Sequence, residues 1–586
     1  MKKNKREKKE NPSLFGTLKP YSSLISLLVI LTIIANGLTL LVPKIIARAI
    51  DTYAKGSFDI NVVTLEFFTV AILIFIFTYL LGVAQIYTSG RVARDLRRKL
   101  MAKISVQDYS YIQKVTPSKL LTNLTSDIDN IKTFVSQSVS SVVSSIFLIV
   151  GSMTLLLLIN WRLALAVLSV IPIIGFTFYF VFSKVRKLFK KSQEAIDALN
   201  KVINESILGS ALIRLLNSHD YEYQKFLIVN TEAKNIGLRI LGLFAGLVPV
   251  ITFFTNIATL IILTLGGHYV IAGTMTLGSF SAFNNYLIIL IFPIMILGFT
   301  SAVIAQATPS WERISEVLNE PRKKDTGTTV ANIDGNVCVK HVSVTLGNKM
   351  ILKDVSFSVK AGTKTAIIGP TAAGKTQLLY LLIGLFSPNS GIIEYDERDI
   401  DFYSKESLHK QVGFVFQDSI MFNLTLRENI AFSNTVKDED LEKAIQTAEL
   451  YDFIDSLPNK LDTIVSERGT SLSGGQKQRV MLARALALNP KVLLLDDFTA
   501  RVDNTTEKKI LKNIERNYPG ITLISVTQKI APIENYDEII LLMDGEILTT
   551  GTHEELMKTS PEYVQIYDSQ QSTNNYESTN KHEIPA

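Results

Sequence analysis

Six apolar stretches in the first 310 residues, near 22–43, 62–88, 138–159, 163–183, 241–270 and 279–305, constrain this chain more than any other feature. Each can cross a bilayer as a helix, which takes about 20 residues. Backbone surrounded by lipid must satisfy its hydrogen bonds within the segment, so each stretch is committed to helix. The third and fourth are separated only by Asn160-Trp161-Arg162 and predict a tight helical hairpin. A chain of 586 residues that is 47% apolar is too hydrophobic for an ordinary soluble enzyme.

Lysine and arginine counts predict the orientation. Seven precede the first span, nine lie between 89 and 136, and ten lie between 184 and 239. The alternate connections carry three (Lys44, Arg48, Lys55), one (Arg162) and none. That alternation places both termini and both long connections in the cytoplasm, in an integral protein of a membrane expected to be the bacterial plasma membrane. The net charge of +6 sits beside the spans, so it argues for membrane orientation and against a nucleic-acid partner. The single cysteine, Cys338, excludes an intramolecular disulfide and a cysteine-rich metal site. Residues 1–20 are expected to form a basic cytoplasmic arm with no cleavable signal sequence, and 569–586 a polar, disordered tail.

The stretches 91–112 and 184–204 have the composition of helices that continue their spans beyond the membrane. Each leads to a polar turn, at 125–129 and at 209–214, that by composition is either a solvated bend or a turn able to press on another domain. The sixth span continues through 311–318, so the membrane domain covers 21–320. Pro321-Arg322-Lys323-Lys324-Asp325-Thr326-Gly327 opens a linker that extends to 330. From 331 to 568, short β-branched runs alternate with helical patterns, the signature of α/β layers.

Two elements of that second domain carry chemistry. Thr365-Ala366-Ile367-Ile368 reads as a buried strand and Leu378-Leu379-Tyr380-Leu381-Leu382 as a helix. Between them Gly369-Pro370-Thr371-Ala372-Ala373-Gly374-Lys375-Thr376 can wrap backbone amides around a polyphosphate at the helix N-terminus. Lys375 can reach the β and γ phosphates, and the Thr376 hydroxyl can hold Mg²⁺. Val492-Leu493-Leu494-Leu495-Asp496-Asp497 is a second buried strand, and its terminal Asp496 suits the same Mg²⁺. Between these elements, Ser473-Gly474-Gly475-Gln476 opens another helix and offers a second anion cradle. One nucleotide does not need two cradles from one domain, so the second is expected to cap a nucleotide bound by another copy of the domain.

This motif order resembles the ATP-binding cassette (ABC) exporter family, in which six membrane helices precede a nucleotide-binding domain. The resemblance covers nearly the whole chain. It implies a six-span α-helical domain followed by an α/β phosphate-loop domain with a RecA-like core and a helical subdomain. It makes Gly369 to Gln377 the ATP-binding Walker A segment, Leu472 to Gln476 the signature facing the partner's ATP, and Leu493 to Asp496 Walker B. It assigns Gln417 to Mg²⁺ and the attacking water, Val465-Ser466-Glu467-Arg468-Gly469 to the exporter X-loop, and the turns near 127 and 211 to the two coupling helices.

The departures from the family pattern share a direction. The usual glutamate after the Walker B aspartate is Asp497, and the switch histidine is Gln528. Leu346 stands where an aromatic stacks on adenine, and Ala372-Ala373 replace a Gly-Ser pair. The D-loop, usually Ser-Ala-Leu-Asp, reads Ala500-Arg501-Val502-Asp503. A carboxylate misplaced by about an ångström can cost on the order of 10²-fold in rate. The site is therefore expected to bind ATP and Mg²⁺ and to hydrolyse slowly. The resemblance then implies a heterodimer with a second half-transporter that retains the glutamate and the histidine. A homodimeric exporter and an ATP-binding gating subunit are the alternatives. With no charge buried in mid-span, an amphipathic or hydrophobic substrate is expected. Asn36, Gln85, Asn256, Asn284, Asn285 and Gln306 are candidates either for its pathway or for interhelical contacts.

Overall fold

The computed structural model describes residues 14–321, 327–347, 349–433, 435–466 and 469–580. The basic arm up to residue 13 and residues 322–326 of the linker lie outside these. The chain divides into two compact units. In the first, the six apolar stretches are six long helices, Lys19–Ala54, Ile60–Ile104, Pro117–Ile159, Trp161–Leu208, His219–Ile271 and Leu277–Asn319. Leu156, Leu163, Phe178, Leu247, Phe283 and Tyr286 are among the residues of its core. Interhelical hydrogen bonds supplement the packing: Tyr286 donates through its hydroxyl to the Leu40 carbonyl at 2.9 Å, and Asp51 Oδ1 accepts from the Gly278 amide at 2.8 Å.

The helices run longer than their apolar centres. Lys44 and Arg48, expected in a loop, are helical, and Arg48 pairs with Glu66 of the second span at 2.9 Å. Of the pathway candidates, Asn36 accepts from the Ser144 hydroxyl at 3.1 Å and joins the first span to the third. Asn285 donates to Ser281 O of its own helix at 3.0 Å. Gln85 and Asn284 are half-buried, and Asn256 and Gln306 are exposed.

The expectation of a coupling turn at 125–129 is overturned. Asp127 lies inside the long third helix, 1% exposed, where Arg313 of the sixth span donates to both of its oxygens. A buried carboxylate held by a guanidinium is a strut, not a docking turn. Earlier in the chain, Gln107–Lys114 belongs to the second unit, where its Tyr109 ring meets Tyr380 edge-on at 5.7 Å. The second turn is where it was expected, with Gly209 ending one helix before the short helix Ser210–Leu215.

In the second unit, β1 (Val337–Leu346), β2 (Lys349–Val359), β4 (Ser390–Tyr395) and β5 (Arg398–Asp399) form an antiparallel sheet in the order β2-β1-β4-β5. β3 (Lys364–Ile368), β6 (Val412–Val415), β7 (Val492–Asp496), β8 (Thr522–Val526), β9 (Glu538–Met543) and β10 (Glu546–Gly551) form the main sheet in the order β10-β9-β3-β8-β7-β6. Its pairs are parallel except for β10 at the edge. Both faces are covered, which is why β7 reads as an unbroken apolar run: Leu493 and Leu495 enter one core and Leu494 the other. The register aligns Ile367 with Val526 and Val526 with Asp496, so the loops after β3, β8 and β7 emerge side by side. Short helices Leu426–Ile430, Asp438–Thr447 and Tyr451–Asp455, with Gly474–Leu486, make the helical part. The last helix, Pro561–Asn580, includes much of the expected disordered tail.

Candidate functional site

At the end of β3 the chain turns away at Gly369, whose φ is 149° and where a Cβ would stand 1.9 Å from Leu542 O; only glycine fits. Ala372, at the exposed tip, holds φ 67°, a left-handed conformation that costs an L-residue with a Cβ about 1–2 kcal/mol. Ala373 is buried. Lys375 opens the helix Lys375–Leu382, and its Nζ donates to Gly369 O and Pro370 O, both at 2.8 Å. Burial depresses its pKa, against the pull of Asp497 and Asp496. Its charge is thus held directly over the loop 369–377.

Next along, the Thr376 hydroxyl donates to Asp496 Oδ1 at 3.1 Å. Asp496 is 1% exposed, and its other oxygen has no hydrogen-bond partner among the described residues. Burial raises its pKa to about 6. A buried carboxylate oxygen with no donor, beside a hydroxyl at the base of a phosphate loop, is the donor set that a hard divalent cation completes, with phosphate and water supplying the remaining oxygens. The residues present fit Mg²⁺.

Asp497 follows in the left-handed region, φ 46° and ψ 39°, and its amide donates to Val526 O at 2.9 Å. Burial raises its pKa, while Lys375 and Lys529 oppose the shift. Gln417 is exposed after β6, and its carbonyl accepts from Gln478 Nε2 at 3.0 Å. Gln528 is exposed after β8. Sequence reasoning missed Gln570, within the supposed tail, which bonds to both sides of this loop. Glu507 was also missed: it is 1% exposed, and Lys529 and Asp497 are among its charged neighbours. Leu346 ends β1 at the hairpin with β2, 41% exposed.

Ser473 is the N-cap of Gly474–Leu486, in a reciprocal box with Gln476: Gln476 N donates to Ser473 Oγ at 3.2 Å and Ser473 N to Gln476 Oε1 at 2.8 Å. A Cβ on Gly475 would lie 2.8 Å from Arg501 O, so glycine is required for this approach. Asp503 caps the helix Asn504–Asn517 by accepting from Thr506 N at 2.9 Å, which holds its carboxyl below the usual range. No hydrogen bond joins 473–476 to 369–377 among the described residues. The X-loop residues 467 and 468 lie outside them.

Comparison with known proteins gives the same two-part division. The family described as ABC transporter transmembrane region matches residues 25–294, and the family described as ABC transporter matches residues 352–500. The ABC transporter ATP-binding protein YfiB of Bacillus subtilis (strain 168) is 33% identical over 562 residues, covering 94% of this chain and 97% of that protein. The multidrug resistance-like ATP-binding protein MdlA of Buchnera aphidicola subsp. Schizaphis graminum is 31% identical over 92% of this chain and 95% of its own length. An ATP-dependent lipid A-core flippase of Syntrophus aciditrophicus is 27% identical over 95% of this chain and 94% of its own length. The solved structure of a bacterial Atm1-family ABC exporter with ATP bound superimposes with a TM-score of 0.78 at 24% identity, covering 94% of this chain and 98% of that one.

Proposed function

The chain belongs to the ABC transporter family, and from that premise we propose that it is one subunit of a heterodimeric ATP-driven exporter. Its own nucleotide site turns over slowly, and its signature face completes a competent site on a second half-transporter. The observation that carries this is at the end of β7. Thr376 and Asp496 are set as a Mg²⁺ pair, yet the next residue, Asp497, is one methylene shorter than the family's water-polarising glutamate. Gln528 has no charge with which to replace the switch histidine. By contrast, the reciprocal cap at Ser473 and Gln476 leaves the signature helix well formed.

In this account Lys375 and the amides of the phosphate loop bind ATP. Thr376 and Asp496, joined by Gln417 as the family pattern implies, would hold Mg²⁺, which would offset phosphate charge. ATP binding draws the two nucleotide domains together, and hydrolysis at the partner's site resets them. The termini and nucleotide domain face the cytoplasm of a bacterial plasma membrane, in keeping with the Lys/Arg distribution. An amphipathic or hydrophobic substrate suits spans with no charge buried at mid-depth, and relatives named for lipid A-core and multidrug transport agree with that class.

The test has two arms. The purified chain alone will bind Mg-ATP and hydrolyse little. In the dimer with its partner, Gly475→Asp will abolish ATPase, because it places a carboxylate beside the partner-held γ-phosphate and displaces Arg501. Lys375→Ala will reduce ATPase only partly. The reverse ordering would make this chain's own site the working one.

A further inference from the structure

Arg501 ends the short helix Phe498–Arg501 after β7, and its stem is laid against the start of the signature helix. A Cβ placed on Gly474 would lie 3.2 Å from Arg501 Cδ, 3.6 Å from its Cβ and 3.8 Å from its Cγ. The stem therefore runs across Gly474. The residue is exposed, and its guanidinium has no hydrogen bond or ion pair among the described residues. The first turn of the adjoining helix contains no acidic residue. A helix N-terminus carries a partial positive charge of about +0.5, so a cation held there without a counter-ion is electrostatically unfavourable until an anion arrives. A guanidinium offers five donors in a planar fork matched to phosphate oxygens.

We propose that Arg501 is a catalytic residue acting in trans: its guanidinium binds the terminal phosphate of the nucleotide that this chain's signature face caps on the opposite subunit. The proposal rests on that trans use of the signature, and not on whether the opposite subunit is a different chain or a second copy. An arginine delivered across an interface neutralises charge that builds on the transferred phosphoryl group. It also reads the nucleotide, because ADP lacks the γ-phosphate for it to grip.

The experiment uses the assembled dimer, this chain with its opposite subunit, in nanodiscs, with ATP and ADP affinities measured by displacement of a fluorescent nucleotide. Arg501→Ala is expected to weaken ATP binding roughly tenfold and leave ADP binding unchanged, in line with the loss of one charge-assisted contact. Arg501→Lys is expected to retain most of the preference, since it keeps the charge. Equal losses for ATP and ADP, or no loss, would overturn the assignment, provided that the melting temperature matches wild type. Gly475→Asp separates the two possible failures. If it collapses the ATP preference while Arg501→Ala does not, Arg501 has no role; if neither variant changes the preference, the trans capping itself is wrong.

Discussion

Gln570 holds both flanks of the loop that carries Gln528: its Nε2 donates to Gln528 O at 2.7 Å, and its Oε1 accepts from Ile530 N at 2.9 Å. The side chain on the last helix thereby fixes the backbone of the position that faces the γ-phosphate in the family. Gln570→Ala removes both bonds, each worth about 1 kcal/mol net. Faster amide exchange confined to residues 527–530 is the expected result, read by hydrogen–deuterium exchange with mass spectrometry. Unchanged protection there would show that the strands alone position the loop.

The two aromatic and ionic contacts near the first long connection predict opposite phenotypes. Tyr109 meets Tyr380, which lies on the helix that begins at Lys375, so Tyr109→Ala removes a ring contact from the helix that follows the phosphate loop. ATPase will persist while transport in vesicles falls several-fold. Asp127→Ala instead leaves Arg313 without its carboxylate and is expected to cost on the order of 2–3 kcal/mol of stability, seen as a lower melting temperature. A stable Asp127→Ala with transport uncoupled from ATPase would favour the coupling role first expected at 125–129.

That misplacement shows where sequence legibility ends. The spans were legible because lipid permits only helix, and the phosphate loop because its glycine spacing is local. The partner that buries Asp127 is Arg313, far along the chain, and no local pattern announces such a pair. A polar bend at 125–129 and a helix turn with an inward carboxylate have the same composition. Gln570 was hidden for a related reason: a polar, amide-rich stretch reads as tail until a tertiary contact uses one of its amides. Asp496, Asp497, Lys375 and Thr376 were legible because parallel strands deliver their ends to one edge. The exposure of Arg501 and the course of its stem across Gly474 needed coordinates.

Glu507 gives the domain a pH dependence of stability. Its carboxyl is buried with neither oxygen in a well-formed hydrogen bond, and burial raises its pKa from 4.5 to about 7, with Lys529 opposing and Asp497 reinforcing the shift. Between those values the folded state keeps a proton that the unfolded chain has released, so stability falls as pH rises across that window. The loss is complete above about pH 7 and amounts to on the order of 3 kcal/mol. Glu507→Gln will therefore raise the melting temperature at pH 8 and leave it nearly unchanged at pH 4.5. A gain of equal size at both values would locate the effect in packing instead of charge.

Restoring the family's acid tests the proposal that this site is slow. The Asp497 amide is bonded to Val526 O, so the backbone is pinned and a substitution changes mainly the reach of the carboxylate. Asp497→Glu extends it by one carbon–carbon bond, about 1.5 Å, the scale on which misplacement costs on the order of 10²-fold. Part of that gain is lost because Glu accepts the left-handed backbone at this position less readily than Asp does. Gln528→His adds the charged contact to the γ-phosphate, and its effect is expected to appear only when the acid is also present, since neither group alone completes the water's environment. Single-turnover hydrolysis at this site in the assembled dimer should thus rise about tenfold with Asp497→Glu and further in the double variant, while steady-state ATPase rises modestly. In the proposed heterodimer the facing signature belongs to the partner and limits the outcome. If that signature is intact and the double variant still hydrolyses no faster at this site, the side chains at 497 and 528 are not what makes it slow.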